Sequence, residues 1–331
     1  QLCEIAKALS LKSQILLLDE PTSSLSPQES ENLFSLLKKI VRDEGVSIVF
    51  VSHKLEEVFN ICDEVTVLRD GKNACTSESI QNLDRKKLVK LMIGREEQIF
   101  KSKRKKDGDK DTILELKNVN TELGHKDINL ELNRAEIIGL YGLVGAGRTE
   151  LVKCFIGLKK IISGDVIIDG NKVTIDSPKM ALEKFKIGYI SEDRKREGLI
   201  LIHNVLDNAS ITVWSQIKKA MGLVTDNMIS EKVSPYINQL EVKTPSNYQL
   251  ISNLSGGNQQ KISVAKWLAA GTDILIIDEP TVGIDIKTKA YLHKLIIELA
   301  EKGTSIILIS SDMPEMISLA DKILVMKNFR L

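Results

Sequence analysis

The residues best suited to carry chemistry lie in a glycine-rich loop, Gly142–Thr149 (GLVGAGRT). The loop follows a short apolar run typical of a strand and precedes a helix-like stretch. In this setting backbone N–H groups can surround phosphate oxygens. Arg148 stands where such loops usually have lysine, so we expect anion binding to survive and phosphoryl transfer to be inefficient. The candidate phosphate-binding residues are Gly142, Leu143, Val144, Gly145, Ala146, Gly147, Arg148 and Thr149.

Two acidic pairs follow apolar, strand-like runs at Ile15–Thr22 (ILLLDEPT) and Ile274–Thr281 (ILIIDEPT). In each pair the first carboxylate fits a Mg²⁺-linked role, and the second can polarise a water molecule that attacks a phosphoryl group. A threonine hydroxyl at the end of a phosphate loop is a further magnesium ligand. The pattern therefore predicts Thr149, Asp19 and Asp278 as metal-binding residues and Glu20 and Glu279 as catalytic residues.

A serine–glycine motif, Leu254–Gln260 (LSGGNQQ), precedes a second helix-like stretch. A serine and two glycines at the start of a helix would aim N–H donors at an anion. On its own the motif is explained equally well as a helix N-cap. The candidate nucleotide-binding residues of this motif are Ser255, Gly256, Gly257, Asn258 and Gln259.

The acidic pairs belong to a long internal repeat. Residues 15–22 recur at 274–281 and, after the loss of one residue, the match continues from Ser52 with Ser310 to Val67 with Val325. Self-similarity over this range indicates two copies of one domain. We expect residues 1–97 to be the C-terminal part of a first copy, 98–111 a charged linker and 112–331 a nearly complete second copy. A domain-sized stretch of about 150 residues precedes the match in the second copy, so we expect the first copy to be truncated.

Composition places the chain among ordinary globular proteins, with 43% hydrophobic and 27% charged residues. The net charge of +1 gives no reason to expect a nucleic-acid partner. The four cysteines have no C-x-x-C spacing, so we expect buried, unpaired thiols in a reducing compartment. No apolar run approaches the ~20 residues that span a bilayer.

Together these motifs resemble the nucleotide-binding domain of ATP-binding-cassette (ABC) proteins. The glycine loop resembles the Walker A loop, Ile274–Glu279 the Walker B strand and Leu254–Gln260 the signature motif. The stretches GLVGAGRTEL, GYISEDRKREGL and LSGGNQQK further resemble the tandem ATPase subunit of bacterial simple-sugar importers of the ribose, galactose and xylose type. The resemblance implies an α/β P-loop fold with a RecA-like parallel sheet, an antiparallel β subdomain and a helical subdomain, as one partial and one nearly complete copy. It also implies that Glu192 occupies the Q-loop position and binds ATP, and that His53 is a catalytic switch-loop histidine.

The family resemblance implies ATP and Mg²⁺ as cofactors and a head-to-tail pairing of two cassettes around the nucleotide. One site would combine Asp19, Glu20 and His53 with the serine–glycine motif of the second copy. The altered site would use the glycine loop with Asp278 and Glu279. The implied partners are membrane permease subunits and, indirectly, a sugar-binding receptor protein. The implied location is peripheral, at the cytoplasmic face of the inner membrane.

Several alternatives stay open at the level of sequence. The cargo could be a nucleoside or an autoinducer, and a tandem ABC ATPase could instead act on the ribosome or on nucleic acid. A module that holds ATP without cleaving it is a third alternative, against which Glu20 and His53 argue. Trp214 and the stretch before it fit a permease contact and core packing equally well. Because Asn120–Asp127 has no Phe, Tyr or Trp to stack on adenine, His125 is the remaining candidate, and we expect it to lie in a solvated turn.

Overall fold

The structure of the chain is a computed structural model. It describes residues 2–10, 13–22, 25, 27–52, 54–69, 71–93, 111–143, 145–217, 224–282, 284 and 286–331. The predicted catalytic residue His53, the loop residue Val144 and the predicted linker apart from Asp111 lie outside these ranges. The described residues form two compact units, the first mainly of residues up to 98 and the second mainly of the residues after it.

The first unit contains a parallel pair of strands, an antiparallel hairpin and four helices. The parallel pair aligns Ile15 with Ser47 and Asp19 with Val51. Its elements are α1 (Leu2–Ser10), β1 (Ile15–Asp19), α2 (Pro27–Glu44), β2 (Ser47–Val51), α3 (Leu55–Ile61), β3 (Glu64–Arg69), β4 (Lys72–Ser79), a 3₁₀ turn (Ile80–Asn82) and α4 (Arg85–Ile93).

The parallel pair of the first unit buries only one of its two faces. Successive side chains of a strand point to opposite faces of the sheet. Leu16 and Leu18 accordingly pack against Leu33 and Leu37 of α2, whereas Leu17 between them is 73% exposed. The other exposed apolar side chains of this pair are Ile15, Val49 and Val51.

The second unit is built on two sheets. A parallel sheet has the strand order β10-β11-β12-β7-β13, and an antiparallel sheet has the order β6-β5-β8-β9. The central parallel strands are continuous apolar runs that are buried on both faces, as expected when layers cover both sides of a sheet. The parallel core, the antiparallel sheet and a helical region that the sequence predicts are therefore all present in this unit.

The strands of the second unit alternate with helices. The first half comprises β5 (Thr112–Thr121), β6 (Ile128–Asn133), β7 (Ile137–Tyr141), α5 (Arg148–Phe155), β8 (Ile161–Ile168), β9 (Asn171–Val173), α6 (Pro178–Phe185), β10 (Ile187–Ile190) and a π-helical turn (Arg194–Gly198). The second half comprises α7 (Val205–Ser210), α8 (Trp214–Ile217), α9 (Asp226–Gln239), a 3₁₀ turn (Ile251–Asn253), α10 (Gly256–Ala270), β11 (Ile274–Asp278), α11 (Ile286–Glu301), β12 (Ser305–Ser310), α12 (Met313–Leu319) and β13 (Lys322–Val325).

All four cysteines carry free thiols, in line with the lack of paired spacing. The prediction that all of them are buried is wrong, because Cys3 is exposed and Cys62 and Cys75 are only partly covered. Cys154, on α5, is the one among them that is buried. Within the described residues, no helix has both the length and the apolar character needed to cross a membrane.

Candidate functional site

The glycine loop joins strand β7 of the parallel sheet to the N-terminus of α5. Strand β7 lies between β12 and β13, so the loop leaves the parallel sheet at the carboxyl edge of its strands. Gly145 (φ 81°) and Gly147 (φ 103°) adopt left-handed backbone conformations, which glycine reaches without steric cost. The loop thus ends at a helix N-terminus, where free N–H groups and the helix dipole favour an anion.

Asp278 lies at the end of β11, directly beside the start of α5. The Thr149 hydroxyl donates to Asp278 Oδ2 over 2.8 Å, and the Tyr189 hydroxyl donates to the same oxygen over 3.1 Å. Asp278 is fully buried, and its Oδ1 has no hydrogen-bond partner among the described residues. Burial raises the pKa of Asp278 to about 6, although the two hydroxyl bonds oppose that shift. The buried carboxyl thus keeps one free oxygen beside the phosphate loop.

Arg148 and Glu279 form a buried ion pair across the site. Arg148 Nη2 lies 3.3 Å from Glu279 Oε1, and only 8% of each side chain is exposed. The Ser311 hydroxyl donates to Glu279 Oε2 over 3.3 Å, and burial raises the pKa of the Glu279 carboxyl. In the structure described, Arg148 Nη1 has no hydrogen-bond partner. The guanidinium therefore keeps donor capacity while it neutralises the carboxylate that the sequence predicts as catalytic.

Tyr189 is a site residue that the search for charged and glycine motifs missed. It lies on β10, beside β11, and points its hydroxyl at Asp278. Burial and the Asp278 charge raise the pKa of the Tyr189 phenol, which therefore stays neutral and donates. The exposed Glu192, three residues later, is close enough for its charge to raise the pKa of Asp278. No local sequence pattern reveals it, because its position beside Asp278 depends on the pairing of β10 with β11.

The serine–glycine motif forms the N-terminus of α10. The Asn258 amide donates to Ser255 Oγ over 3.1 Å, and Asn258 Oδ1 accepts from the Lys243 N–H over 2.9 Å. The Gln259 side chain is buried and donates to the carbonyls of Ile251 and Leu254. These hydrogen bonds run to neighbouring segments and not to the glycine loop. The Gln259 side chain fastens the preceding turn, which leaves Ser255 to Asn258 as the part of the motif open to a ligand.

The acidic pair of the first unit has the same backbone geometry as the pair of the second. Glu20 and Glu279 both have φ 44°. The Glu20 N–H donates to Val51 O and the Glu279 N–H donates to Ile309 O, each over 2.9 Å. In both units, therefore, the second acidic residue directly follows its strand in a left-handed backbone conformation. A hydrogen bond from its N–H to the neighbouring strand stabilises this conformation.

His125 does not lie in a solvated turn as the sequence suggested. It is 1% exposed, and its Nε2 lies 2.8 Å from the Gly147 carbonyl oxygen. Its Nδ1 lies 2.6 Å from Thr121 Oγ1. The short stretch between β5 and β6 packs against the glycine loop, and this tertiary contact buries the ring. Being buried, the His125 ring is not free to stack on a nucleobase.

Comparisons with known proteins agree with this geometry. Residues 125–282 match the family model described as ABC transporter. The ribose import ATP-binding protein of Clostridium tetani is 44% identical over 327 residues, which cover 98% of this chain and 64% of that protein. The chain contains an ABC transporter ATPase domain.

Further relatives are named for import of other sugars. The galactose/methyl galactoside import ATP-binding protein of Clostridium perfringens is 42% identical over 99% of this chain and 63% of its own length. The arabinose import ATP-binding protein of Pectobacterium atrosepticum is 40% identical over 99% of this chain and 64% of its own length. The chain thus spans slightly less than two thirds of the length of these curated relatives.

Solved structures share the fold of the ABC domain. The dimeric structure of MJ0796, a bacterial ABC transporter cassette, aligns with a TM-score of 0.58 and 22% identity over 66% of this chain and 96% of that chain. The structure of cbiO1 from Clostridium perfringens aligns with a TM-score of 0.56 and 24% identity over 66% of this chain and 86% of that chain. The chain therefore has the P-loop ABC cassette fold, with parallel and antiparallel sheets and helices.

The buried Asp278 carboxyl of the ABC domain should make stability depend on pH. Its pKa is about 6 in the folded chain against an ordinary 3.8, so folding takes up a proton between these values and stability falls as pH rises through that window. Asp278→Asn removes the ionised form but keeps an acceptor for Thr149 and Tyr189. We expect its free energy of unfolding to exceed the parent's by on the order of 2 kcal/mol above pH 6, with little gain near pH 4. Urea unfolding at both pH values measures this; equal gains would exclude ionisation as the cause.

The Arg148–Glu279 pair should show strong energetic coupling. Arg148→Met leaves a buried carboxylate without its cation and is expected to cost about 3 kcal/mol of unfolding free energy. Adding Glu279→Gln should recover most of that loss, which a double-mutant cycle in urea measures. As a control, Arg134→Met removes an arginine from exposed ion pairs with Asp111 and Asp169 and should cost less than about 1 kcal/mol. Additive losses for Arg148 and Glu279 would contradict the coupling.

Proposed function

We propose that the chain is part of the ATP-binding subunit of an ABC importer, which couples ATP binding and hydrolysis to uptake of a simple sugar through a membrane permease. The convergence of the glycine loop, Thr149 and the Asp278–Glu279 pair at one sheet edge carries the proposal. Relatives named for import of ribose, galactose and arabinose favour a pentose or hexose over a nucleoside, an autoinducer or a ribosomal target.

ATP would bind with its phosphates in the glycine loop Gly142–Thr149, at the N-terminus of α5. Arg148 Nη1 and the free Asp278 oxygen support this assignment, because both are buried polar atoms without a partner among the described residues. Thr149 and Asp278 would hold Mg²⁺, which neutralises phosphate charge when bound. Within the described ranges, no group of three or more histidine, cysteine or acidic side chains is arranged to hold a metal ion. Nucleotide oxygens would therefore supply the remaining ligands.

The first unit would be the C-terminal part of a first cassette, with residues 1–97 in that domain, 98–111 as linker and 112–331 as the second cassette. Three observations support this division. The β1–β2 register repeats that of β11–β12, the Glu20 and Glu279 backbones coincide in conformation, and β1 leaves exposed an apolar face whose counterpart on β11 is fully buried. A complete first cassette would cover that face.

Two composite sites would form if the cassettes pair head to tail. The competent site would use Asp19, Glu20 and His53, with Ser255 to Asn258 of the second cassette closing over the γ-phosphate. The altered site would use the glycine loop, Asp278 and Glu279, with Glu192 at the Q-loop position. The Arg148–Glu279 pair supports a holding role for this second site, because phosphate would have to compete with Glu279 for the guanidinium.

The permease would contact the helical region of the second cassette. Its apolar surface supports this, since Ile202 is 81% exposed and Trp214 is 41% exposed. Trp214 also donates from its indole nitrogen to Ser210 Oγ over 2.9 Å, which fixes the ring at the surface. Other exposed apolar side chains there are Ile200, Ile211 and Leu250. The subunit would sit peripherally at the cytoplasmic face of the membrane, with a sugar receptor as an indirect partner.

The purified 331-residue chain is expected to bind ATP weakly and to hydrolyse it slowly or not at all. With a truncated first cassette, the competent site would lack the glycine loop of that cassette, and the altered site would lack its serine–glycine motif. Calorimetric titration with and without Mg²⁺ measures the binding. Thr149→Val should abolish most of the Mg²⁺-dependent gain in affinity. Thr244→Val, which removes a hydroxyl that donates to Ser246 O in the exposed stretch after α9, should leave the affinity unchanged. A brisk Mg²⁺-dependent ATPase rate would contradict the proposal of two incomplete sites.

In the whole gene product, Glu20→Gln combined with His53→Ala is expected to abolish sugar uptake, because both groups would act on the attacking water. Uptake of labelled ribose, galactose and arabinose by cells that carry the variant measures this. Glu44→Gln, at the exposed end of α2, is the matched control and should preserve uptake. Retained uptake in the double variant would refute the motor role, and loss of nucleoside uptake alone would favour a nucleoside importer.

A further inference from the structure

A tight turn follows β13 and carries a phenylalanine in an unfavourable conformation. Lys327 and Arg330 pair across the turn as an antiparallel bridge. The two residues between them, Asn328 (φ 51°) and Phe329 (φ 60°), both lie in the left-handed region. Two consecutive left-handed residues define a type I′ turn, which strongly favours Asn-Gly. A bulky residue with positive φ is an outlier that the surroundings must stabilise.

The first unit has glycine at the matching position of its β3–β4 turn. Arg69 pairs with Lys72 across the β3–β4 turn, and Gly71 has φ 76°. In the internal repeat Val67 matches Val325, so Gly71 matches Phe329. The second unit thus has a strained backbone at a position where the first unit has glycine. Contacts of the Phe329 side chain must therefore offset the strain.

The Phe329 ring packs against Gly147 of the phosphate loop. A Cβ atom added to Gly147 would lie 2.7 Å from Phe329 Cδ1, so the ring fills the space beside that glycine. The Phe329 N–H also donates to the Ala146 carbonyl over 3.0 Å. The backbone and the ring of Phe329 therefore contact two successive residues of the loop, Ala146 and Gly147.

His125 also contacts the phosphate loop and packs against Phe329. The two rings meet edge to face, with centroids 4.9 Å apart. Since a carbonyl oxygen only accepts, His125 Nε2 donates to Gly147 O over 2.8 Å, and in the neutral ring Nδ1 then accepts from the Thr121 hydroxyl over 2.6 Å. The Leu123 N–H donates to that hydroxyl oxygen over 3.3 Å. This chain of hydrogen bonds fixes the tautomer and orientation of His125.

We propose that Phe329, together with His125, is a positioning residue that holds the phosphate loop around Gly147 in its binding conformation. The strain at Phe329 is retained because glycine, which the turn prefers, would release the loop. The ligand-binding part of this inference rests on the proposed binding of ATP, whereas the conformational part does not. If one further loop residue had to be ordered by the ligand, affinity would fall ~10-fold.

The competing explanation for an aromatic ring beside the loop is direct contact with the nucleobase. Inorganic tripolyphosphate separates the two, since it has the phosphates of ATP and no base. A positioning role predicts that Phe329→Gly weakens the binding of ATP and of tripolyphosphate by the same factor, about 10-fold. A nucleobase contact predicts that only ATP binds more weakly.

The experiment compares the chain with Phe329→Gly, Phe329→Leu and Asn328→Gly. Asn328→Gly is the matched control, because it relieves left-handed strain in the same turn without removing a ring from the loop. Amide hydrogen exchange across residues 145–151 without ligand, and calorimetric affinity for ATP and for tripolyphosphate, are measured for each variant. Phe329→Leu retains apolar bulk and serves if the glycine variant does not fold.

We expect exchange in residues 145–151 to accelerate in both Phe329 variants, more in glycine than in leucine, and to stay at the parent's rate in Asn328→Gly. Unchanged exchange in the Phe329 variants would overturn the inference, and so would a loss of affinity confined to ATP. If the parent chain binds neither ligand, the proposed ATP binding fails, and the exchange rates alone still decide the role of Phe329.

Discussion

The parallel register of β7, β12 and β11 is the constraint on which the whole site depends. Ile309 on the middle strand lies opposite both Leu140 and Asp278. This alignment brings the segments that follow the three strands to one sheet edge, where open α/β sheets bind their ligands. The Thr149–Asp278 bond joins the segments at the ends of β7 and β11, on either side of β12, and the Ser311–Glu279 bond joins the segments that leave the neighbouring strands β12 and β11. A shift of one residue in either pairing would separate them.

The same burial that orders the strands determines the electrostatics of the site. A carboxylate deep in an apolar sheet must be protonated, hydrogen-bonded or paired with a cation. Asp278 is hydrogen-bonded by two hydroxyls and has a raised pKa, and Glu279 is paired with Arg148. The planar guanidinium can hold a carboxylate and still present a free edge, which the compact ammonium of lysine does less well. A second anion at this site would therefore interact with an Arg148 guanidinium whose charge Glu279 already partly neutralises.

Motifs and repeats in the sequence predict most of the segments that carry the candidate site residues. The loop, the acidic pairs and the helix start at Ser255 follow from local patterns of glycine, charge and apolar runs, and the structure gives each the predicted strand or helix context. Tyr189 and the burial of His125 could not be found in this way, because both depend on contacts between segments far apart in the chain. The same holds for Gln259, which looks like part of an anion-binding motif until its buried partners are known.

The two units show which part of the site geometry is local and which is not. The left-handed glutamate after the strand costs about 1–2 kcal/mol of backbone strain, yet it occurs in both Glu20 and Glu279. Each is held by one N–H bond to the neighbouring strand, so a single pair of parallel strands is enough to produce it. Burial behaves differently, since β11 is covered on both faces and β1 on one. The position of the carboxylate therefore comes from strand pairing, whereas the burial that raises the pKa of Glu279 comes from the layers that cover both faces of β11.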